Sequence, residues 1–430
     1  MNNKDGISRK NWALIWILGM AGQICWNIEN SWFNTFVYDK IAKDPSIISW
    51  MVGTSAIVST FTAFLIGTWG DRAGRRKPYI AFGYILWGIF TIVFGATEFL
   101  PKSPLLVIIV VIVAADAIMS FFGSAGYDAG YNPWTTDITN VHNRGKLGAA
   151  FAAMPVLATI FGAVVSGIII DTLDFFAFFI IMGTIVSAIG VFTLFVLKDS
   201  PDLKPRRSRG GYWRQFGEVF RVKTVIDNKE LFWVLIIGAL YFIAMNVYFP
   251  YITIYLNNYL KISYAMSGAI QAIGLVGAVL LTIPVAKLIN RQKMAPVILI
   301  AVASNFVGLM LFSFSSHFIV LLLGTFGVGV GYVLVVQTTT AWVKNLFPEN
   351  QRGQFEGVRM VFIVCFPMVI GPLIANYIIN KHGIYMDIDG VAGMVPTELL
   401  FTIAAFLTLL TLLPLIPASR RSKARLQDRN

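Results

Sequence analysis

Asn143-Arg144-Gly145-Lys146-Leu147-Gly148 and Gln351-Arg352-Gly353-Gln354-Phe355-Glu356-Gly357 read as two copies of one segment. Each Arg-Gly pair follows a tryptophan by ten residues, Trp134 before Arg144 and Trp342 before Arg352. The copies stand about half of the 430-residue chain apart, and both lie between long apolar stretches. An Arg-Gly pair alone is common. Its recurrence at the same helix boundary in both halves marks the chain as a doubled unit.

The chain is 57% hydrophobic and only 13% charged, with mean hydropathy +0.70. A soluble chain carries about a quarter charged residues. Apolar runs long enough to cross a bilayer as helices recur throughout. They fall near 11–39, 47–70, 78–98, 105–133, 147–170, 175–197, 230–258, 262–288, 295–314, 318–345, 355–379 and 397–416. The short alternating segments of a membrane barrel are missing. The expected fold is an all-α membrane protein, with twelve transmembrane helices in two pseudo-symmetric six-helix bundles. Residues 1–10 form a cytosolic head, 11–197 the first bundle, 198–229 a cytosolic linker, 230–417 the second bundle and 418–430 a basic tail. The first apolar run is too long for a signal peptide and contains Gln23, Asn27 and Asn30, so it reads as a retained helix. In the linker, Tyr212, Phe216, Val219 and Phe220 recur opposite Arg214 and Arg221, the pattern of a short helix lying on a membrane surface.

Lysine and arginine set the orientation. With the N-terminus inside, only Lys40, Lys43, Lys102, Lys261 and Lys381 of the 34 Lys+Arg fall outside. Both termini are then cytosolic, in a plasma membrane. The net charge of +12 is spread over short loops facing anionic lipid and calls for no nucleic-acid partner. Cys25 and Cys365 both lie in apolar runs and imply no disulfide framework. His142, His317 and His382 sit at different helix ends, so no metal site is expected. No phosphate-binding loop and no nucleophile–base constellation appears, which argues against an enzyme and against a cofactor.

The loop between the second and third apolar runs reads Gly67-Thr68-Trp69-Gly70-Asp71-Arg72-Ala73-Gly74-Arg75-Arg76-Lys77. It resembles the signature loop of the major facilitator superfamily, G-x-x-x-D-R-x-G-R-R. The resemblance implies two six-helix bundles that rock about a midplane site. It implies a cytosolic gate of Gly67, Asp71, Arg72, Gly74, Arg75 and Arg76, with Arg144, Arg352 or Arg359 as partners for Asp71. The loop at 287–293 keeps charge but has lost the acid and the glycines. Asp137-Ile138-Thr139 with Asn143-Arg144-Gly145, Arg76-Lys77-Pro78-Tyr79-Ile80, and Asn34 through Tyr38-Asp39 are similar to stretches of the glycoside–pentoside–hexuronide:cation symporters. The melibiose-carrier branch of that family places cation-binding carboxylates in its second helix. Residues 47–66 contain no acid, only Ser49, Thr54, Ser55, Ser59, Thr60 and Thr62 as polar groups, which argues against a sodium site of that kind.

Ionisable residues inside a membrane are costly and mark function. Glu29, Asp116 and Asp128 qualify, with no Lys or Arg at comparable depth in the first six runs. An unpaired carboxylate there must be protonated or bound to a cation, the state a coupling site needs. Asp116 shares a helical face with Ser120, Ser124, Tyr127, Tyr131 and Trp134 at about 100° per residue. Asp128 lies nearer the cytosol, where an arginine pair is the alternative. Glu29 falls off the polar face of its own helix. Gln23, Asn27, Asn30 and Asn34 form one face of the first helix. Amides supply donors and acceptors for sugar hydroxyls; the alternative is helix–helix hydrogen bonding. Tyr241, Tyr248, Tyr251 and Tyr255 form a stripe on the seventh run, suited to stacking on sugar rings or to packing. The expected solute contacts are Gln23, Asn27, Asn30, Tyr127, Tyr131, Tyr241, Tyr248 and Gln337. The expected function is symport of a small solute, a sugar or glycoside, coupled to protons or sodium, by a monomer. A drug or metabolite efflux antiporter is the alternative, and the amide face argues mildly against it.

Overall fold

The computed structural model describes residues 7–139, 144–201, 203, 205, 222–280, 293–346, 355, 358–388 and 390–427. Among them, ten helices are long and apolar enough to cross a membrane. The two other expected spans are also helical. They are the run 9–41 (α1) and Tyr264–Leu280 (α8). The rest are α2 Pro45–Ala73, α3 Lys77–Phe99, α4 Leu105–Asp137, α5 Arg144–Thr172, α6 Phe175–Val196, α7 Lys229–Tyr259, α9 Met294–Phe314, α10 Phe318–Leu346, α11 Val358–His382 and α12 Glu398–Arg425. Large apolar side chains such as Leu106, Phe195 and Leu413 stay exposed, as a lipid-facing surface requires. The chain is a multi-pass membrane protein.

Local sequence explains the helix ends. Asp44 caps α2 by accepting from the Ser46 N–H, with Pro45 in the first turn. Gly74 closes α2 at φ +62°, a left-handed turn that favours glycine. Asp174 accepts from the Ala177 N–H and starts α6. Inside the spans, α1 contains π turns at Glu29–Phe33 and Val37–Ile41, and α4 contains one at Tyr127–Tyr131. α7 ends in another, Tyr255–Tyr259, as α1 does. A π turn inserts one residue and rotates the later turns of its helix, and such turns gather at functional positions.

Contacts divide the chain into two compact units. One is Met1–Ser208 with Ile262–Gly268 and Ile388–Val391; the other is Arg209–Lys261, Ala269–Asp387 and Ala392–Asn430. The first is centred on stacked and edge-on rings of Phe33, Phe36, Phe94 and Phe179. In the second, Phe401 packs on Tyr255 and Phe312. A two-stranded hairpin, Ile384–Ile388 and Val391–Val395, joins α11 to α12, where the all-helical expectation had only a loop. The amphipathic stretch 212–220, Asn143 of the first Arg-Gly copy and all of the second except Phe355 lie outside the described residues.

Candidate functional site

Glu29, on α1, is buried against α2 and α4 at 7% exposure. Its Oε1 accepts from Ser55 Oγ at 2.5 Å and from Ser120 Oγ at 2.7 Å. The two hydroxyls are themselves 2.5 Å apart. Asp116, at 2% exposure, stands one helical turn from Ser120, within electrostatic reach of Glu29. Glu29 Oε2 and Asp116 Oδ1 are buried and have no hydrogen-bond partner. Further along α4, Ser124 donates to the Ser59 carbonyl at 2.8 Å and reaches the half-buried Asp128 carboxylate. Asp128 also interacts with Glu29 through space. The three expected acids therefore belong to one polar seam in the first unit. The off-stripe position of Glu29 is what places it there, because that face of α1 meets α2 and α4. Ser55 is the contribution from α2, which has no acid over residues 47–66.

The expected solute contacts divide. Gln23 Nε2 donates to Tyr127 Oη at 2.7 Å, and the Tyr127 and Tyr131 rings stack at 5.1 Å. Tyr131 donates to the Ile15 carbonyl at 2.7 Å. Asn27 bonds Thr159 on α5 at 3.4 Å, while Asn30 donates to the Trp26 carbonyl and Asn34 to the Asn30 carbonyl of their own helix. The amide face thus makes helix–helix and back-bonded contacts here. In the second unit, Tyr241 donates to Asn305 at 3.4 Å and Tyr248 is buried beside Phe401. Gln337 is half-buried, and its side-chain carbonyl has no partner. Trp12 and Trp16 stand on the same face of α1 as Gln23 and, with Lys146 and Ala150, line an open cavity of about 460 Å³. These tryptophans were not among the expected solute contacts; their spacing with Gln23 is the signal that could have found them.

The signature loop is built around Arg76, whose side chain is 5% exposed. It pairs with Asp71 and, at 3.1 Å, with Asp137 Oδ2 at the end of α4. Asp199, after α6, accepts from the Arg76 and Lys77 backbone N–H groups at 2.8 and 2.9 Å and so caps α3. A Cβ on Gly70 would come 2.8 Å from Arg76 Nη1, so glycine there makes room for the guanidinium. Asp71 thus has a partner inside its own loop, Arg76, which was not among the arginines anticipated for it. The guanidinium comes back over the left-handed turn at Gly74, a route that spacing alone does not reveal. Arg72 and Arg75 are exposed, and Gly67 has open space around it rather than a close neighbour. Arg359 is half-buried on α11, Arg144 opens α5, and Arg352 is outside the described residues.

In the second unit, Glu230 plays the corresponding part at the start of α7. It accepts from Trp342 Nε1 at 2.9 Å and pairs with Arg425 at 3.1 Å. In the first unit Trp134, the tryptophan matched to Trp342, donates to the Lys198 carbonyl at 3.0 Å. Each tryptophan thus ties its helix to a neighbouring helix end. No group of three acid, histidine or cysteine side chains able to hold a metal occurs among the described residues.

A family profile described as Major Facilitator Superfamily matches residues 15–372, with a second match over 234–429. Among solved structures, a mutant form of the nucleoside transporter NupG is similar at TM-score 0.72 and 14% identity, covering 94% of this chain and 99% of that one. A bacterial homologue of the iron transporter ferroportin, in an inward-facing state, is similar at TM-score 0.68 and 13% identity over 96% and 98% of the two chains. A bacterial homolog of the human lysosomal transporter Spinster gives 0.69 and 13% over 96% and 98%. At these identities the likeness is one of fold. No curated protein matches the chain significantly. Family members and these neighbours are transporters rather than enzymes. The profile spans most of the chain and the helical fold agrees with it, so the chain belongs to the Major Facilitator Superfamily.

Proposed function

We propose that the chain is a cation-coupled symporter of a small polar solute, a sugar or glycoside, working by alternating access as a monomer. The Glu29–Asp116 pair carries this reading. Two buried carboxylates with free oxygens and two serine hydroxyls, with no basic side chain bonded to them among the described residues, form a place where one positive charge is strongly favoured. Gln23 and Tyr127, hydrogen-bonded to each other, supply polar and aromatic surface on the same two helices, the combination that suits a hydroxylated ring.

The test is uptake of labelled mono- and disaccharides into proteoliposomes under an imposed proton or sodium gradient. Accumulation that Asp116→Asn abolishes is the expected result. Movement of no sugar under either gradient overturns the sugar assignment and turns attention to exported metabolites.

The proposed membrane is the plasma membrane, with both termini cytosolic, which puts the hairpin between α11 and α12 outside. Tyr385 on that hairpin is 70% exposed. Tyr385→Cys is expected to react with a membrane-impermeant maleimide on intact cells, over a low background because Cys25 and Cys365 lie within spans. Labelling that appears only after permeabilisation reverses the orientation.

A further inference from the structure

Asp116, Ser120, Ser124 and Asp128 follow one another at four-residue intervals on α4. They make a row about 18 Å long that winds slowly around the helix. Ser55 and Ser59, also four apart, face the row from α2. Two rungs join the helices: Ser55 with Ser120 at 2.5 Å, and Ser124 to the Ser59 carbonyl at 2.8 Å. Ser59 Oγ is buried and has no partner, so the lower rung holds a spare hydroxyl. Glu29 sits on the upper rung, and Ser124 reaches Asp128 below.

We propose that the coupling ion is a proton and that it travels between the Glu29–Asp116 pair and Asp128 along this hydroxyl seam between α2 and α4. The inference rests on the symport reading and names its ion and path. Shape decides between proton and metal cation. A hard cation takes a shell of about six oxygens around one point. Here Glu29 Oε1 and the two serine hydroxyls of the upper rung stand 2.5–2.7 Å from one another, in direct hydrogen-bond contact, whereas oxygens sharing one cation are held about 3.3 Å apart or more, and the remaining oxygens are strung along the helix. Successive rungs are about 5–6 Å apart, a gap that one water bridges. The titratable groups facing the seam are Cys25 and Glu29 from α1, Tyr84 from α3, and Asp116, Tyr127 and Asp128 from α4. None of them is basic.

The transfer balances without redox chemistry. A proton leaves the Glu29 carboxyl for a serine oxygen while that serine's own hydroxyl proton moves on to the next oxygen. Each hydroxyl ends with one proton. Glu29 ends as a carboxylate and Asp128 as a carboxylic acid, which then gives its proton to water.

The test needs no solute. Infrared difference spectra of the full-length protein in lipid, taken across a pH step, report the C=O stretch of protonated buried carboxyls. A band that sodium does not remove is expected, and its hydrogen–deuterium exchange should be about tenfold slower in Ser124→Ala, where one relay hydroxyl is missing. Ser124→Thr, which restores the hydroxyl, should restore the rate. Two results overturn the proposal: a band that sodium displaces, which makes the pair a sodium site and leaves symport standing, or exchange unchanged in Ser124→Ala. Loss of symport itself shows separately, as failure of gradient-driven uptake with the band intact.

Discussion

Glu29→Gln is expected to reduce gradient-driven accumulation to simple equilibration while solute exchange across the membrane continues. The substitution keeps the shape of the side chain. Its amide oxygen still accepts from Ser55 and Ser120, so both serine hydroxyls remain satisfied and the helices stay packed. What it removes is the charge. Moving one charge across 100 mV is worth about 2.3 kcal/mol, enough for an accumulation of about 50-fold. The variant should forfeit all of it. Counterflow, in which labelled solute exchanges against unlabelled solute without net charge movement, should keep a rate within a few-fold of the parent. Retained accumulation in Glu29→Gln would move the coupling charge to Asp116 or Asp128. Loss of both accumulation and counterflow would make Glu29 a structural residue.

The second large effect is expected at Arg76. This guanidinium is buried and holds Asp71 and Asp137 together at the end of α2 and α4. Arg76→Ala leaves two carboxylates facing each other without a counter-charge. Breaking a buried pair costs about 3–5 kcal/mol, and the half-exposed Asp71 lowers that to about 3 kcal/mol. Melting of the purified protein should shift down by several degrees, and uptake should fall by more than tenfold. Arg76→Lys should recover only part of either, because an ammonium cannot form the planar fork that reaches both acids. Melting and uptake at parental levels in Arg76→Ala would mean that the cluster contributes nothing beyond solvation.

Much of the architecture was legible from residue order. The apolar runs locate the helices, because a bilayer of fixed thickness demands long apolar spans. All twelve runs, α1 and α8 among them, are helical where they are described. The acids were also legible as isolated charges at depth. Their assembly was not. Periodicity says which residues of one helix share a face, but it does not say which faces of different helices meet. Glu29 looked misplaced on α1 until Ser55 and Ser120 came to it from α2 and α4. The lack of an acid at residues 47–66 argued against a cation site there, yet α2 contributes the Ser55 hydroxyl to a carboxylate carried by α1. The amides at Asn30 and Asn34 show the converse. Their spacing suited a solute, while their hydrogens go to carbonyls one turn back on the same helix.

Asp199 has a mechanical consequence. One carboxylate oxygen after α6 holds the backbone N–H groups of Arg76 and Lys77 at the start of α3, and the Arg76 side chain holds α2 and α4. Four helix ends are thereby welded into a single plate. Asp199 stands just beyond the end of α6, at the rim of that plate. A force that reaches Asp199 along the chain is therefore expected to turn all four helix ends together instead of bending one helix, which makes this carboxylate a handle for the bundle.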